Sequence, residues 1–496
     1  GEYRTYTLDA RAPDDRRYGP NRLARVHGLW VARVEGSAYE IGRALSELAG
    51  PLAVRNEDAL VREFYAHVPG WPVRWALVRG VPFLAGPMVE GLPPAYPEEV
   101  RGIADVGADP WGWVAPAFTR KLCYHAIHDV GQAMVDGPLL ACTGFAAGGA
   151  RTRDGRWLLA RNFDFDGGRF FDEDKAVVAV ARDGAIPFVH VAILGLSGVV
   201  SGLNAEGLAV AVLAGASDAP VRAGAPMIFA VREVLESART IGEARAVLER
   251  RRGFVSEGIL VVDGRRGEAA VLEVTPDDVT VLPATGDAIA LSNHFRGAHA
   301  YDLATLRRRA EGTSVARLAR MEELLATAPP LDDVVAASLL RDREGPGGRD
   351  LPDGHEAAVD ADVASHGAVV DATARTILVS TWPNLAGGWV RFSLDDLLAG
   401  ELRGELAVPA RDPERTLRVH EARRLQRIAR EQAPAEAIAT LDRALALVPG
   451  DPRALVARGK ARRAAGLDGD ADLRAALAVP PARAAEVREI EALLAR

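Results

Sequence analysis

Cys142 is the residue whose type and position could most directly support nucleophilic chemistry. The chain has only one other cysteine, Cys123, so neither a disulfide framework nor a multi-cysteine metal site can form. A lone cysteine is more often a small buried hydrophobe than a catalyst. Cys142, however, starts a predicted strand–turn–strand unit whose second strand ends in polar residues. This polar cluster consists of Arg161, Asn162, Asp164 and Asp166. A hairpin between the two strands would bring Cys142 and the cluster to the same sheet edge.

The elements that must position these residues change in character at Cys142. Residues 1–141 are predicted to be mainly helical, with a capping box formed by Ser37 and Glu40. After Cys142, short β-rich runs such as "KAVVAVAR" and "GILVVDG" alternate with turn residues and with two longer helical patterns. Strands in blocks with helices between them predict an α+β domain of layered sheets and helices over residues 142–408.

The last segment, residues 412–496, is predicted to be almost wholly helical. "RALALVPGDPRAL" (443–455) is echoed by "RAALAVPPARAA" (474–485), an offset of 31 residues. This offset is close to the helix-pair repeat of about 34 residues in tetratricopeptide arrays. The segment therefore resembles one to two such repeats and could bind a protein partner. A helical cap on the preceding domain is the simpler interpretation.

Composition limits the function classes. Hydrophobic residues make up 48% and charged residues 26% of the 496, with a net charge of -8. These values are ordinary for a globular protein of two or three units and argue against a nucleic-acid surface. Residues 185–205 carry no charge, but their glycines favour two buried strands over a membrane span. The chain begins at Gly1, as an exported protein without its signal peptide would, and so would an artificially trimmed chain. The location is therefore left open, with a periplasmic or secreted one slightly favoured over a cytoplasmic one.

Histidines do not indicate a metal site. His125 and His128 are three apart on a predicted helix and could face the same way. Zinc needs at least a third protein ligand, which the sequence does not mark. We expect neither a metal nor another cofactor.

Several motifs together resemble the cysteine N-terminal-nucleophile hydrolases. "CTGF" followed by "DGRWLLARNFDF" is similar to the opening of the choloylglycine hydrolase and penicillin V acylase family, and of the related acyl-CoA:6-aminopenicillanic acid acyltransferase family. "GSAYEIGRA" (36–44) resembles a pro-segment element of the acyltransferase branch. In family order follow "GLSGVVSGLNAEGLAVAV", "ALSNHFRG", "GTSVARLARMEELL" and "HGAVVDATARTILVSTWPN". The resemblance runs from about residue 30 to about residue 400.

The resemblance implies a four-layer αββα sandwich and a self-cleaving precursor. Breaking the Ala141–Cys142 bond would leave a pro-segment of residues 1–141 and expose Cys142 as a new N-terminus. The site residues implied by the matching motifs are Cys142, Arg161, Asp164, Asn293 and Arg317. Asn204 and Ala214 stand at positions implied to contact substrate. The bile-salt branch has an Asn where this chain has Ala214, so the second oxyanion donor that the resemblance implies is missing here, which argues against bile salts as substrates.

The chemistry of a free N-terminal cysteine is consistent with that assignment. Its α-amine titrates near pH 7.7–8.0 and its thiol near 8.5, so the amine can take the thiol proton without a histidine. Arg161 would lower the thiol pKa, and the Asp164 carboxylate would hold the amine. Asn293 would donate to the oxyanion, a contribution typically of about 100- to 1000-fold in rate.

The predicted function is hydrolysis of an N-acyl amide, or transfer of its acyl group, through an acyl-enzyme on Cys142. The acyl part is expected in an apolar pocket lined by the "GLSGVVSG" turn and the front segment. A dedicated peptidase, and a degenerate core that binds partners through its C-terminal helices, are the alternatives. Simpler roles are open for individual residues: a strand-end ion pair for Arg161 and Asp164, a turn for Asn204, and a helix-surface salt bridge for Arg317. As a catalytic alternative, His294 could serve as the base of a Cys–His pair.

Overall fold

The computed structural model describes residues 3–67, 70–126, 129, 132, 141–165, 168–221, 224–251, 253–480 and 483–495. It is a mixed α+β structure with two large sheets, as the sequence predicts. The eighteen strands found in the described residues are β1 (Leu8–Ala12), β2 (Asp15–Tyr18), β3 (Asn21–Val26), β4 (Leu29–Gly36), β5 (Thr143–Gly149), β6 (Gly155–Asp164), β7 (Lys175–Arg182), β8 (Phe188–Ile193), β9 (Ser201–Asn204), β10 (Leu208–Ala214), β11 (Glu257–Asp263), β12 (Glu268–Val274), β13 (Val279–Pro283), β14 (Ala288–Leu291), β15 (Ala364–Asp371), β16 (Thr376–Ser380), β17 (Trp389–Ser393) and β18 (Glu405–Val408).

Helices precede, separate and follow these strands. They are α1 (Ala38–Ala49), α2 (Pro51–His67), α3 (Trp71–Glu90), α4 (Ala95–Ala104), α5 (Ala117–Tyr124), α6 (Phe170–Glu173), α7 (Met227–Ser237), α8 (Ile241–Arg250), α9 (Leu303–Glu311), α10 (Ser314–Thr327), α11 (Asp333–Leu340), α12 (Leu394–Leu398), α13 (Pro413–Ala429), α14 (Pro434–Leu447), α15 (Pro452–Ala464), α16 (Asp470–Ala478) and α17 (Ala484–Leu494). Ser37 and Glu40 form the predicted capping box at the start of α1. Among the described residues, we find no helix long and apolar enough to cross a membrane.

The strands form an eleven-stranded sheet in the order β1-β2-β3-β4-β7-β8-β9-β10-β11-β12-β13, and a seven-stranded sheet in the order β14-β5-β6-β15-β16-β17-β18. One buried core lies between the two sheets. A second packs the larger sheet against α1, α7 and α8, and a third packs the smaller sheet against α10 and α11. The layers therefore follow the order helices, sheet, sheet, helices, because each sheet buries both faces.

The front segment contains strands that the sequence analysis did not predict. Its description as mainly helical omits β1–β4, which make up one end of the larger sheet. β4 pairs in parallel with β7, with Trp30 opposite Ala176 and Gly36 opposite Arg182. The arginines in these short strands hide their alternation. The four strands pair with one another in sequence order, and β4 joins them to the rest of the sheet.

Two strand predictions are confirmed. β5 pairs antiparallel with β6, placing Thr143 opposite Asn162. The uncharged stretch 185–205 contains β8 and β9, which pair antiparallel. The C-terminal helices α13–α17 pack successively along the chain; their resemblance to tetratricopeptide repeats stays a prediction.

Candidate active site

The β5–β6 hairpin brings Cys142 beside the polar cluster. Cys142 directly precedes β5 and is fully buried. Ala141 donates its N–H to the carbonyl oxygen of Asp164, the last residue of β6, at 3.2 Å. Burial raises the pKa of the Cys142 thiol, whereas the positive charges of Arg161 and Arg317 act to lower it.

Arg161 extends from β6 of the smaller sheet and is held by two acceptors of the larger sheet. Its Nη1 donates to Ser201 Oγ at 3.0 Å and its Nη2 to the carbonyl of Val212 at 2.6 Å. The guanidinium lies over the Phe163 ring, 4.6 Å from its centroid. Burial lowers the pKa of Arg161, and interaction with Cys142 opposes that change. Arg161 thus places a fixed positive charge beside the sulfur.

Asp164 ends β6 with a buried carboxylate that has no hydrogen bond within the described residues. The residue is 1% exposed. Burial raises the pKa of Asp164 to about 7, and the negative charge of Asp360 acts in the same direction. Arg317 and Arg161 oppose the increase. An isolated buried carboxylate is unfavourable unless a hydrogen-bond donor or cation joins it.

Arg317 connects the start of β5 to Asn293. From α10, its Nη1 donates to the Cys142 carbonyl at 2.5 Å and to Thr143 Oγ1 at 2.7 Å, and its Nη2 donates to Asn293 Oδ1 at 2.7 Å. Asn293 Nδ2 donates to the carbonyl of Ala214 at 3.0 Å. The structure thus brings four predicted positions, Cys142, Asn293, Arg317 and Ala214, into one network together with Thr143, and Ala214 supplies a main-chain acceptor.

A serine that sequence reasoning missed completes this network. Ser314 Oγ accepts from the Asn293 N–H at 2.8 Å and donates to Ser292 Oγ at 3.1 Å. It also bonds His294 Nδ1 at 2.6 Å. Ser292 Oγ donates to the Cys142 carbonyl at 3.4 Å. The available signal was the serine three residues before Arg317, at the start of the same helix.

The histidines near the site serve other contacts. Burial lowers the pKa of His294 to about 4, and its bond is to Ser314. His125 Nδ1 bonds the Lys121 carbonyl at 2.7 Å, while its Nε2 accepts from the Ser197 N–H at 2.9 Å. His128 lies outside the described residues. We find no group of three metal-ligating side chains in the ranges that the structure covers.

The Asn204 side chain is fully engaged in a turn. Its Nδ2 donates to the carbonyls of Leu235 and Ala238, and its Oδ1 accepts from the N–H groups of Glu206 and Leu208. These are the bonds of the turn-forming alternative. Asp166, the last member of the polar cluster, lies outside the described residues.

A mostly apolar cavity of about 70 Å³ lies in the same core as Cys142. It is lined by residues of the "GLSGVVSG" turn and of the front segment, together with three phenylalanines of β6 and of the segment that follows it. These lining residues are Leu196, Gly198, Val200, Tyr124, His125, Phe163, Phe165 and Phe171. His366 and Lys175 also line it, and His366 Nε2 bonds Ser201 Oγ, the partner of Arg161, at 2.9 Å. That this cavity holds an acyl group stays a prediction.

Comparison with known proteins supports the resemblance read from the motifs. Residues 150–348 match the family model of acyl-coenzyme A:6-aminopenicillanic acid acyl-transferase. The resemblance of this chain to that family is therefore confirmed over a range that contains Arg161, Asp164, Asn293 and Arg317. The matched range begins after Cys142.

Individual relatives are distant. An uncharacterized protein of Archaeoglobus fulgidus is 27% identical over 274 residues, which cover 51% of this chain and 45% of that relative. Among solved structures, a Caenorhabditis elegans N-acylethanolamine-hydrolyzing acid amidase ortholog has a TM-score of 0.34 at 18% identity, covering 47% of this chain and 93% of that one. Penicillin V acylase from Agrobacterium tumefaciens has a TM-score of 0.35 at 15% identity, covering 54% and 99%. Likeness at this level does not establish a shared activity.

Proposed function

We propose that this chain is a self-cleaving amide hydrolase or acyltransferase whose nucleophile is Cys142. The observation that carries the proposal is the unpartnered carboxylate of Asp164 beside the Ala141–Cys142 bond. Cleavage of that bond would create an α-ammonium group at Cys142. This cation would supply the hydrogen bonds and the charge that Asp164 lacks in the intact chain.

Maturation begins when the Cys142 sulfur attacks the carbonyl carbon of Ala141. The C–N bond breaks as the acyl group moves from nitrogen to sulfur, and the thiol proton goes to the departing nitrogen. Water then hydrolyses the thioester, giving a carboxylate on Ala141 and a free thiol on Cys142. Arg161 beside the sulfur favours the thiolate needed for the first step.

The two products, residues 1–141 and 142–496, would remain bound to each other. β4 contributes a strand inside the larger sheet, hydrogen-bonded to β7. In addition, Arg232 of α7 donates to both carboxylate oxygens of Glu99 of α4, at 2.7 and 2.6 Å, with both side chains buried. Separation would expose the edges of two strands and leave the Glu99 carboxylate without its buried partner.

In the mature enzyme, the free α-amine of Cys142 takes the thiol proton and the thiolate attacks the substrate's acyl carbon. Asn293 Nδ2, which donates to Ala214 in the intact chain, is the side-chain donor for the oxyanion, and Arg317 fixes its orientation. The leaving amine receives the proton, and the acyl group remains as a thioester on Cys142. Water or a second amine then takes the acyl group, giving hydrolysis or transfer.

The substrate class follows from the cavity and from the family resemblance. The phenylalanine-lined cavity, of about 70 Å³, would accept a short apolar acyl group, and a longer chain would require it to widen. The matching family is described as transferring acyl groups from coenzyme A to an amine. Small-molecule acyl amides or thioesters are therefore the substrates to test first.

Intact mass spectrometry of purified wild type and Cys142→Ala provides the test. Wild type should yield two fragments that separate at Ala141–Cys142, whereas the variant should stay whole. Matured wild type should then hydrolyse chromogenic N-acyl amides and form a thioester on the 142–496 fragment. A wild type that remains intact would refute self-cleavage, and activity confined to short peptides would favour a peptidase.

A further inference from the structure

Loop 353–362 lies between the catalytic layers and the C-terminal helices. Arg423 of α13 donates to three carbonyl oxygens of this loop, those of Gly354, Ala361 and Asp362, each at 2.8 Å. Thr416, also on α13, donates from Oγ1 to Asp362 Oδ1 at 2.6 Å. These hydrogen bonds fix the backbone of the loop to α13 at several points.

The inner side of the same loop reaches the candidate active site. The Val359 carbonyl accepts a hydrogen bond from Asn162 Nδ2 at 3.0 Å, and Asn162 lies two residues before Asp164 on β6. Asp360 is 1% exposed and forms an ion pair with Arg343 Nε at 3.2 Å. The loop therefore contacts the strand that carries Asp164 and places a buried negative charge behind it.

A second connection runs from α13 to the same strand end. His420 Nε2 donates to Asn384 Oδ1 at 2.6 Å, and Asn384 Nδ2 donates to the carbonyl of Ala364 at 2.7 Å. Ala364 is the register partner of Asp164 in the pairing of β15 with β6. Two independent sets of hydrogen bonds thus link one face of α13 to the position of Asp164.

We propose that α13 of the C-terminal region is a positioning element of the active site, in which Arg423, through loop 353–362, fixes the strand end that carries Asp164. The inference rests on the proposed function of Asp164 and Cys142. This positioning role would make the C-terminal region part of the catalytic unit. Arg423 and Asp360 act on Asp164 through the loop and its charges, so they are positioning residues rather than catalytic ones.

Several charged groups act on the pKa of Asp164, and their opposite signs give the proposal a test. They are Arg161 on β6, Arg317 on α10, Arg423 on α13, Asp360 on the loop, and the Cys142 thiol. Arg423 lowers the pKa of Asp164 and Asp360 raises it. Removing one or the other charge should therefore move the titration of Asp164 in opposite directions.

The first experiment compares the pH dependence of kcat/KM for full-length matured wild type, Arg423→Gln and Asp360→Asn. Arg423→Gln should shift the acidic limb to higher pH and Asp360→Asn should shift it to lower pH, each by about half a unit or more for a nearby, partly screened charge. Arg423→Lys should recover part of the wild-type profile. Arg424→Gln, which alters an exposed arginine paired with Glu421 on the same helix, should leave the profile unchanged.

A second measurement does not depend on activity. Hydrogen–deuterium exchange of uncleaved Cys142→Ala should become faster at residues 353–362 and also at 160–165 when Arg423→Gln is added. Faster exchange confined to the loop and α13, or acidic limbs that shift in the same direction, would overturn the positioning role. A wild type that acts on no acyl amide but still shows coupled exchange would refute the proposed function and leave this coupling standing.

Discussion

Arg317 and Asn293 are joined side chain to side chain, with Arg317 Nη2 donating to Asn293 Oδ1 at 2.7 Å. This bond fixes the amide so that Nδ2 faces the carbonyl of Ala214. The amide orientation is therefore set before any substrate binds. Preorganised donors of this kind stabilise developing negative charge without having to reorient.

Replacing Asn293 by Asp should remove the donor while keeping the shape of the side chain. We expect kcat for an N-acyl amide to fall by about 100- to 1000-fold, with KM changed only slightly, because the lost bond is made in the transition state. Steady-state kinetics of the cleaved, mature enzyme measure kcat and KM. Arg307→Gln, on the exposed face of α9, is the control. Retention of more than about a tenth of wild-type kcat would remove Asn293 from the oxyanion role.

Asp164 should make the intact precursor less stable as the pH rises. Its pKa is raised by burial to about 7 in the folded chain, against an ordinary 3.8. Between these two pKa values, the folded state keeps a proton that the unfolded state has lost. The free energy of unfolding therefore falls by about 1.4 kcal/mol for each pH unit in that range. In the Cys142→Ala background, Asp164→Asn should flatten this decline. Urea denaturation at pH 5, 6 and 7 gives the free energy of unfolding of both proteins. If that free energy changed equally with pH in both, the expected titration of Asp164 would be contradicted.

The buried Arg232–Glu99 pair should contribute to attachment of the front segment. Arg232→Met alone leaves Glu99 as an uncompensated buried charge, at a cost of about 3–5 kcal/mol, and the double variant should lose less. Glu99→Gln alone should cost less than Arg232→Met, because Arg232 keeps its buried ion pair with Glu236. Denaturation of the uncleaved Cys142→Ala protein gives the free energies of unfolding. In matured enzyme, the single variants should release the 1–141 fragment at lower denaturant concentration. Additive single and double effects would indicate that the two residues do not act as a pair.

The cavity should select acyl chains by length, and Ile228 contributes to its wall. Ile228→Ala should increase kcat/KM for longer acyl chains relative to shorter ones by several-fold, at a cost in stability of about 2–5 kcal/mol. A homologous series of chromogenic N-acyl amides measures the preference. Ile490→Ala, in the separate core of the C-terminal helices, tests whether lost stability alone alters selectivity. An unchanged chain-length profile for Ile228→Ala would place the acyl group elsewhere.

Local sequence predicted the β5–β6 hairpin and therefore the meeting of Cys142 with Arg161 and Asp164. Two neighbouring strands joined by a short turn pair antiparallel, which places the start of the first strand opposite the end of the second. Asn293 and Arg317 came from the order of motifs. Ser314 was missed because a serine at a helix start is usually a capping residue.

The amino-acid sequence by itself determined which side chains could do chemistry and which strand ends carry them, because residue type and strand periodicity are local properties. Tertiary structure decided the rest: that β4 enters the sheet beside β7, that Asn293 points to Ala214, and that Arg423 holds the loop behind Asp164. Each of these contacts joins residues 60 or more positions apart. Their geometry depends on how complete layers pack, and no local pattern encodes it.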